Sequence, residues 1–584
     1  MKIALAQQNY QIGNFEDNTR KIIGAIQYAK SRKADLVVFS ELSICGYPPR
    51  DFMEFTDFIN ECYKAIDIIK EQADTIGVII GSPHRNPAPE GKDLFNAAWF
   101  LYDKQVQAIA HKTLLPTYDV FDEDRYFEPS SEWKVIPFKG HTIALTICED
   151  IWNLGDNPLY KVCPMDMLIE QQPDLMINIS ASPFDYDHDD DRKEIIRANV
   201  LKYNLPMFYC NAIGAQTEII FDGGSLVMNA AGQLVKEMKY FEEDFAIVDT
   251  DDVAVTATDK NKKIESLSAR SMSVPKLQAT DFNREMRVAK VSDPEKIIDY
   301  LTAEKNIREI YEALLLGIRD YFRKMGFSKA ILGSSGGIDS AVVVALACEA
   351  LGKDNVRAIL MPSAFSSSHS VSDAEQLSKN LGNPYDIVPI GNVYDSFMST
   401  LKPVFGDLPF GLAEENLQSR SRGNLLMSIA NKFGYILLNT SNKSELATGY
   451  GTLYGDMAGG LSVLGDVYKM QVYALARYIN RNGEIIPENI ITKAPSAELR
   501  PNQKDSDSLP DYAVLDKVLY QYIERRQGPR EIIEMGIDEA LVKRVLKLVN
   551  TNEYKRNQFC PIIRVSSKAF GVGRRLPIVA KYLS

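Results

Sequence analysis

A glycine- and serine-rich loop carries the most specific chemistry in this sequence. The run LGSSGGIDS (332–340) follows the apolar residues KAIL (329–332) and precedes the apolar run AVVVALACEAL (341–351). A strand, a glycine turn and a helix in this order predict an anion site, because free backbone N–H groups and the positive end of the helix dipole face the loop. Gly336 and Gly337 allow the backbone to close on phosphate oxygens. A kinase or GTPase loop is excluded, since that pattern needs Gly-Lys-Ser/Thr and no lysine lies within these residues.

Three reactive side chains stand at matching places in the first half of the chain. Glu41 follows LVVFS, Lys112 follows VQAIAH, and Cys148 follows HTIALTI. Each therefore lies just past the carboxyl end of an apolar strand, where ligands bind in layered α/β folds. A thiol, a carboxylate and an ammonium suit amide hydrolysis. Cys148 would attack the amide carbon, Glu41 would take the thiol proton, and Lys112 would stabilise the oxyanion.

The elements around these residues have the pattern of an α/β fold. Short apolar strands alternate with amphipathic helices, which favours stacked α and β layers. The expected strands are Ile3–Ala6, Leu36–Phe39, Val78–Gly81, Ala98–Tyr102, Val106–Ala110, Ile143–Ile147 and Leu175–Ile179, and the expected helices are Asn18–Ser31 and Arg192–Tyr203.

The segments FSEL (39–42), HKTLLP (111–116) and ICED (147–150) resemble the three signature segments of the nitrilase superfamily. The resemblance implies an αββα sandwich with a Glu41–Lys112–Cys148 triad. It also implies a set of glutamine-binding residues, Tyr118, Glu123, Ser182 and Lys193, of which Glu123 steadies the lysine. An acidic run at 185–191 separates Ser182 from Lys193, so the contact of Lys193 with substrate is open. Cys45 and His188 are expected to be structural.

The second half predicts a doubly wound parallel sheet with ATP at its carboxyl edge. The expected helices are Glu304–Met325 and Ser421–Gly434, and the expected strands after the loop strand are Val356–Met361, Asp386–Ile390 and Tyr435–Leu438. From Asp249 to Asp299 the apolar periodicity fades. We therefore expect a linker or arm at 251–300. It joins the domain at 1–250, for which the resemblance implies a nitrilase-like glutaminase, to a second domain at 301–584.

SGGIDS (335–340) resembles the pyrophosphate loop of ATP pyrophosphatases, and SNKSELATGYGTLYGDMAGG (441–460) resembles the substrate segment of NAD synthetases. The resemblance implies adenylation of deamido-NAD by ATP, with Mg²⁺ on Asp339 and Glu445. The implied ATP-binding residues are Gly333, Ser334, Ser335, Gly336, Gly337, Ile338, Asp339, Ser340, Thr440 and Lys469. The implied deamido-NAD-binding residues are Asn416, Glu445, Asp456 and Lys555, and a substrate contact of Lys568 is left open.

Composition limits the class of protein. A chain of 584 residues predicts two to four domains, and its formal net charge of −12 argues against nucleic acid as the main partner. No apolar run reaches membrane-spanning length, and residues 1–5 read as a strand rather than a signal peptide. Seven cysteines without CxxC spacing predict free thiols in a reducing cytoplasm.

The two halves together predict one reaction. The whole chain resembles the glutamine-dependent NAD synthetases, which implies that ammonia from glutamine amidates adenylated deamido-NAD and that the protein is a homo-oligomer. A fused chain can pass ammonia internally and keep water from the adenylate. Two alternatives remain at this point. One is an amidotransferase of the same architecture acting on another carboxylate, and the other is a nucleotide-sensing or scaffold protein with decayed sites.

Overall fold

A computed structural model describes residues 1–154, 160–186, 188–253, 291, 293–501 and 503–583. They divide into two compact units, the first within residues 1–216 and 220–253 and the second within 217–219 and 291–583. Most of the expected arm at 251–300 lies outside the described residues; its described end forms a short helix, Ile297–Leu301. No helix in the described part of the chain is long and apolar enough to span a membrane.

The first unit contains two six-stranded sheets. The order in the first sheet is β14-β1-β2-β3-β4-β5, and the order in the second is β13-β12-β9-β8-β7-β6. The strands are β1 Lys2–Gln7, β2 Leu36–Val38, β3 Gly77–Arg85, β4 Leu94–Tyr102, β5 Gln105–His111, β6 Ile136–Phe138, β7 His141–Ile147, β8 Leu175–Ser180, β9 Met207–Asn211, β10 Ile213–Gln216, β11 Ile219–Asp222, β12 Leu226–Met228, β13 Leu234–Glu237 and β14 Asp244–Asp249.

The two sheets pack face to face, with helices on their outer faces. Alternate residues of β7, namely Ile143, Leu145 and Ile147, share one buried core with Leu36 and Val38 of the first sheet. The intervening positions face α3 and α4, because side chains alternate across a strand. The helices are α1 Phe15–Ser31, α2 Thr56–Lys70, α3 Pro164–Ile169 and α4 His188–Tyr203. The predicted αββα sandwich is confirmed.

The second unit contains a five-stranded parallel sheet in the order β17-β16-β15-β18-β19. Its strands are β15 Ala330–Gly333, β16 Val356–Leu360, β17 Tyr385–Ile387, β18 Ile436–Asn439 and β19 Leu461–Ser462. Its described helices are α5 Ile297–Leu301, α6 Glu304–Met325, α7 Ile338–Leu351, α8 Ser368–Leu381, α9 Gly391–Phe405, α10 Leu412–Phe433, α11 Lys443–Thr448, α12 Lys469–Ile479, α13 Glu488–Thr492, α14 Tyr512–Leu519, α15 Pro529–Glu534, α16 Glu539–Thr551 and α17 Glu553–Arg556. The order reverses at β15, which is the doubly wound topology that the sequence predicts.

Several boundaries differ from the predicted ones, and two of these differences have a clear physical reason. The strand expected at Asp386–Ile390 ends at Ile387, because its partner β16 ends at Leu360 and Pro362 has no N–H to continue the ladder. The helix expected from Ser421 begins at Leu412, where the Glu414 carboxylate accepts a hydrogen bond from the Gly411 N–H at 2.8 Å. This capping interaction provides an acceptor for one of the N–H groups that have no partner within the helix.

Candidate active sites

The first unit holds a buried lysine between two carboxylates. Lys112, directly after β5, donates from Nζ to Glu41 Oε1 at 2.7 Å and to Glu123 Oε1 at 2.8 Å. The Lys112 and Glu41 side chains have no solvent exposure. Burial alone would lower the pKa of Lys112, but the charges of Glu123 and Glu41 outweigh burial and hold that pKa well above its usual value. The lysine is therefore a permanent cation in a closed site.

Further donors fix both carboxylates. Glu41 Oε1 accepts from Asn96 Nδ2 at 2.7 Å, and Glu41 Oε2 accepts from the backbone N–H of Ala181 at 2.9 Å. Glu123 accepts from the Tyr47 hydroxyl at 2.7 Å and from Asn96 Nδ2 at 3.3 Å. Burial raises the pKa of Glu123 to about 7, against the lowering effect of Lys112. The structure thus places Glu123 where the sequence expects it, on the lysine.

Cys148 stands at the turn between β7 and a single 3₁₀ turn, Cys148–Ile151. Its φ of 44° is unusual for a residue with a side chain, and such conformations persist where the surrounding structure holds them. Only 4% of the residue is exposed. Burial and the charge of Glu41 raise the pKa of the thiol well above its usual value, although Lys112 opposes them. The thiol is protonated in this state, so an attack by sulfur requires a base.

The predicted glutamine-binding residues separate into two groups. Tyr118 donates to both oxygens of Glu149 at 2.9 and 3.0 Å, and Ser182 lies 3.1 Å from Nε2 of His188 through its Oγ. Lys193 forms the second group, because its ion pairs, with Glu237 at 2.7 Å and Asp189 at 3.4 Å, include neither Glu149 nor His188.

Two polar residues near this site have no role in the sequence-based prediction. Glu149 also accepts from the Tyr160 hydroxyl at 2.9 Å, and burial raises the pKa of Glu149. His188, which we expected to be structural, stacks on Trp152 with 5.3 Å between ring centroids. The sequence signal for Glu149 is its position beside the nucleophile in ICED; no comparable signal marks His188.

In the second unit the glycine loop connects β15 to α7. Gly336 has a φ of 76°, and a Cβ at this position would lie 2.2 Å from the carbonyl oxygen of Ser370. Only glycine fits both the backbone conformation and this close approach. Ser335 Oγ and Ser340 Oγ lie 3.1 Å apart, and the Ser334 N–H donates to the Ile359 carbonyl at 2.9 Å. The loop is therefore held at the carboxyl edge of the sheet.

This loop borders a cavity of about 290 Å³ that most of the predicted nucleotide-binding residues share. The predicted residues that line it are Gly333, Ser334, Ser335, Gly337, Ile338, Asp339, Ser340, Thr440, Glu445, Asp456 and Lys469. Gly336, Asn416 and Lys555 are outside this lining set. The lining also includes Arg422, whose Nε donates to the Met361 carbonyl at 3.0 Å. Arg422 is a half-buried cation bordering this cavity, and it was missed because a single arginine within a helix has no distinctive spacing.

Two carboxylates and one ammonium meet in this cavity. Lys469 Nζ lies 2.5 Å from Asp339 Oδ2 and 3.5 Å from Glu445 Oε1. Asp339 Oδ1 also accepts from Asn442 Nδ2 at 2.8 Å. Burial and the charge of Asp339 raise the pKa of Glu445 to about 8. The predicted phosphate-binding lysine therefore pairs here with the two residues predicted to hold Mg²⁺.

The donor set fits a cation that completes its shell with substrate oxygens. In the described part of the chain, no group of three or more His, Cys, Asp or Glu side chains could hold a metal ion. Mg²⁺ takes one or two protein carboxylates and fills its octahedron with phosphate oxygens and water. Asp339 and Glu445 provide that number of carboxylates beside the phosphate loop.

The remaining predicted substrate ligands act on the loop after α11. Lys555 Nζ donates to the carbonyls of Gly449 and Gly451 at 2.7 and 2.8 Å. Asn416 Oδ1 accepts from the Thr452 hydroxyl at 2.8 Å, and Asp456 Oδ1 accepts from the Thr452 N–H at 2.6 Å. These residues hold the glycine-rich segment in place, and of the three only Asp456 lines the cavity.

Comparisons with known proteins match both halves of the chain. A carbon-nitrogen hydrolase family model matches residues 2–260, and an NAD synthase family model matches residues 310–559. The glutamine-dependent NAD(+) synthetase of Synechocystis sp. is 43% identical over 99% of this chain and 99% of its own length. That of Thermotoga maritima is 40% identical over 100% of this chain and 99% of its own. The chain belongs to the glutamine-dependent NAD⁺ synthetase family.

Solved structures give the same relationship. The glutamine-dependent NAD⁺ synthetase of Acinetobacter baumannii, determined with ADP, is 36% identical with a TM-score of 0.72 and covers 99% of this chain and 98% of its own. The enzyme from Cytophaga hutchinsonii, at 19% identity and a TM-score of 0.76, covers 99% and 98% and shares the fold. The predicted enzyme class, a carbon–nitrogen ligase with a nitrilase-type glutaminase domain fused to an NAD synthase domain, is confirmed. A scaffold protein with decayed sites and a synthetase for another carboxylate are both disfavoured.

Proposed function

We propose that this chain makes NAD⁺ from deamido-NAD⁺, ATP and glutamine, with Cys148, Glu41 and Lys112 releasing ammonia and the 332–340 loop binding ATP. The observation that carries the proposal is the presence, on one chain, of a buried Lys112 clamped by two carboxylates and a loop-lined cavity with Asp339, Glu445 and Lys469. An ammonia source is useful to an adenylating site, because the adenylate is an electrophile that ammonia attacks.

The first half-reaction follows from the charges of the triad. Glu41 takes the proton from the Cys148 thiol, and the sulfur forms a bond to the amide carbon of glutamine. The negative charge that develops on the amide oxygen is stabilised by Lys112. Ammonia leaves with the proton returned by Glu41, and water then attacks the thioester to release glutamate and regenerate the thiol.

The second half-reaction requires positioning more than acid–base chemistry. A carboxylate oxygen of deamido-NAD⁺ attacks the α-phosphorus of ATP, and the pyrophosphate that leaves is held by the 332–340 loop and Lys469. Ammonia then bonds to the acyl carbon and AMP departs. Asp339 and Glu445 would hold Mg²⁺, which neutralises phosphate charge. Thr440 and Asp456 line the same cavity and would contact the substrates.

A cytoplasmic location and a homo-oligomeric state belong to this proposal. The cysteines of this chain are free thiols, as expected where glutathione and thioredoxin keep thiols reduced. Size-exclusion chromatography with light scattering tests the oligomeric state, and a single-chain mass would contradict it.

Product analysis tests the reaction. Purified protein is incubated with ATP, Mg²⁺, deamido-NAD⁺ and glutamine, beside a control without deamido-NAD⁺. The proposal expects NAD⁺, AMP, pyrophosphate and glutamate in equal amounts. Glutamate release without NAD⁺ formation would support the glutaminase site but contradict deamido-NAD⁺ as the carboxylate that is amidated. Other carboxylates would then be screened.

A further inference from the structure

Asp150 is a buried carboxylate beside the nucleophile that the proposed chemistry does not use. Its exposure is 3%, and it lies in the 3₁₀ turn that begins at Cys148. Oδ1 accepts from the backbone N–H groups of Thr113 and Leu114 at 3.0 and 2.9 Å, and Oδ2 accepts from the N–H of Ile147 at 3.1 Å. One carboxylate thus binds three backbone donors from two separate segments.

These donors adjoin two catalytic side chains. Thr113 and Leu114 directly follow Lys112 at the end of β5, and Ile147 directly precedes Cys148 at the end of β7. β5 belongs to the first sheet of the sandwich and β7 to the second. Asp150 therefore joins the two sheets at the strand ends that carry the ammonium and the thiol.

The backbone at Cys148 also needs support. A φ of 44° at a residue with a side chain is a strained conformation, and neighbouring contacts must hold it. The hydrogen bond from the Ile147 N–H to Asp150 Oδ2 closes the turn across Cys148. Asp150 Oδ1 connects the same turn to Thr113, the residue that follows Lys112. Burial raises the pKa of Asp150 to about 6, so the carboxylate is mostly ionised at neutral pH and keeps both acceptor oxygens.

We propose that Asp150 is a positioning residue of the glutaminase site, whose carboxylate sets the distance and direction between the Cys148 sulfur and the Lys112 ammonium. The inference rests on the proposed function of this site. It assigns Asp150 no contact with glutamine, so its loss changes the rate of amide cleavage and leaves glutamine binding almost unchanged.

The test is Asp150→Asn in the full-length protein. Asparagine keeps the size but has one acceptor oxygen, so one set of backbone donors faces an NH₂ group. We expect kcat for glutamate release to fall by about 10- to 100-fold, since a displacement of about 1 Å at a reacting centre has an effect of this size. KM for glutamine stays within about three-fold, and NAD⁺ synthesis from ammonium salts is unchanged.

Asp174→Asn is the matched control. Asp174 Oδ2 accepts from the Thr142 N–H at 2.7 Å, at the opposite end of β7 from Cys148, so the same change at that end leaves kcat unaltered. An unchanged kcat in Asp150→Asn, or a loss that ammonium-driven synthesis shares, overturns the proposal. If Asp150→Asn does not fold, Asp150→Glu replaces it. A lower kcat at constant KM then supports positioning and an unchanged kcat refutes it.

Glutamate release is measured without deamido-NAD⁺ and ATP as well as with them. A failure of the positioning role therefore appears in glutamate release by the variant, whereas a failure of the proposed function appears as absent NAD⁺ in the unaltered protein.

Discussion

The same neighbour, Glu41, leaves Cys148 neutral and Lys112 charged. The charge of Glu41 helps to raise the pKa of both groups, which keeps the thiol neutral and the lysine charged. Transfer of the thiol proton to Glu41 removes the negative charge that disfavours the thiolate and leaves that thiolate near an ammonium. In the proposed mechanism this charge arrangement lets Glu41 act as the base, so no histidine is required.

Asp339→Ala tests the adenylating site at the scale of one residue. The change removes one of the two cavity carboxylates and the 2.5 Å partner of Lys469. We expect NAD⁺ synthesis from either glutamine or ammonium to fall by about 100-fold or more. The reason is that Asp339 would hold the Mg²⁺ that neutralises the phosphate charge. Asp395→Ala, an exposed carboxylate on α9, is the control. Normal synthesis by Asp339→Ala would contradict the role of Asp339 in holding Mg²⁺.

Glu445 predicts a pH dependence of stability. Its pKa rises from an ordinary 4.5 to about 8, so between these values the folded chain holds a proton that the unfolded chain has lost. Stability therefore falls as pH rises through this window. Glu445→Gln removes the contribution of this group to the dependence. Thermal unfolding of both proteins is measured at pH 8 and pH 5, in EDTA and without nucleotide. The apparent Tm of the variant should exceed that of the unaltered protein at pH 8, and the difference should be smaller at pH 5. A lower Tm for the variant at pH 8 would refute this account.

At the scale of elements, the turn between β15 and α7 depends on one glycine. Gly336→Ala would place a methyl group 2.2 Å from the Ser370 carbonyl and force a positive φ on alanine. We expect a rise in KM for ATP of at least about 10-fold with glutamate release unchanged. Gly391→Ala, where a Cβ meets nothing within 4 Å, is the control. A normal KM for ATP in Gly336→Ala would show that the loop tolerates displacement.

The sequence was most informative where function follows strand ends. Glu41, Lys112 and Cys148 each occupy the position that their apolar strands predict, because strand periodicity and chain direction are local properties. Contacts between distant segments could not be predicted in this way. The ion pair of Lys193 with Glu237 connects α4 to β13, and no local sequence pattern contains that partner. The bonds of Lys555 to the Gly449 and Gly451 carbonyls and of Arg422 to the Met361 carbonyl likewise depend on how distant segments pack.

At the scale of the whole molecule, the two chemistries should be separable. Cys148→Ala removes the sole nucleophile of the triad, so glutamine-driven NAD⁺ synthesis should fall to background while synthesis from ammonium salts persists. The measurement is NAD⁺ formation with each nitrogen source. Cys163→Ala, a cysteine outside the triad whose Sγ lies 3.3 Å from the Tyr203 hydroxyl, is the control. Loss of both activities in a folded Cys148→Ala variant would mean that the sites are not independent.

The buried, neutral thiol of Cys148 affects how readily the nucleophile is oxidised. Peroxide reacts with thiolates that solvent reaches, and a protonated thiol on a residue that is 4% exposed offers neither property. The resting enzyme therefore resists conversion of its nucleophile to sulfenic acid, and vulnerability is confined to turnover.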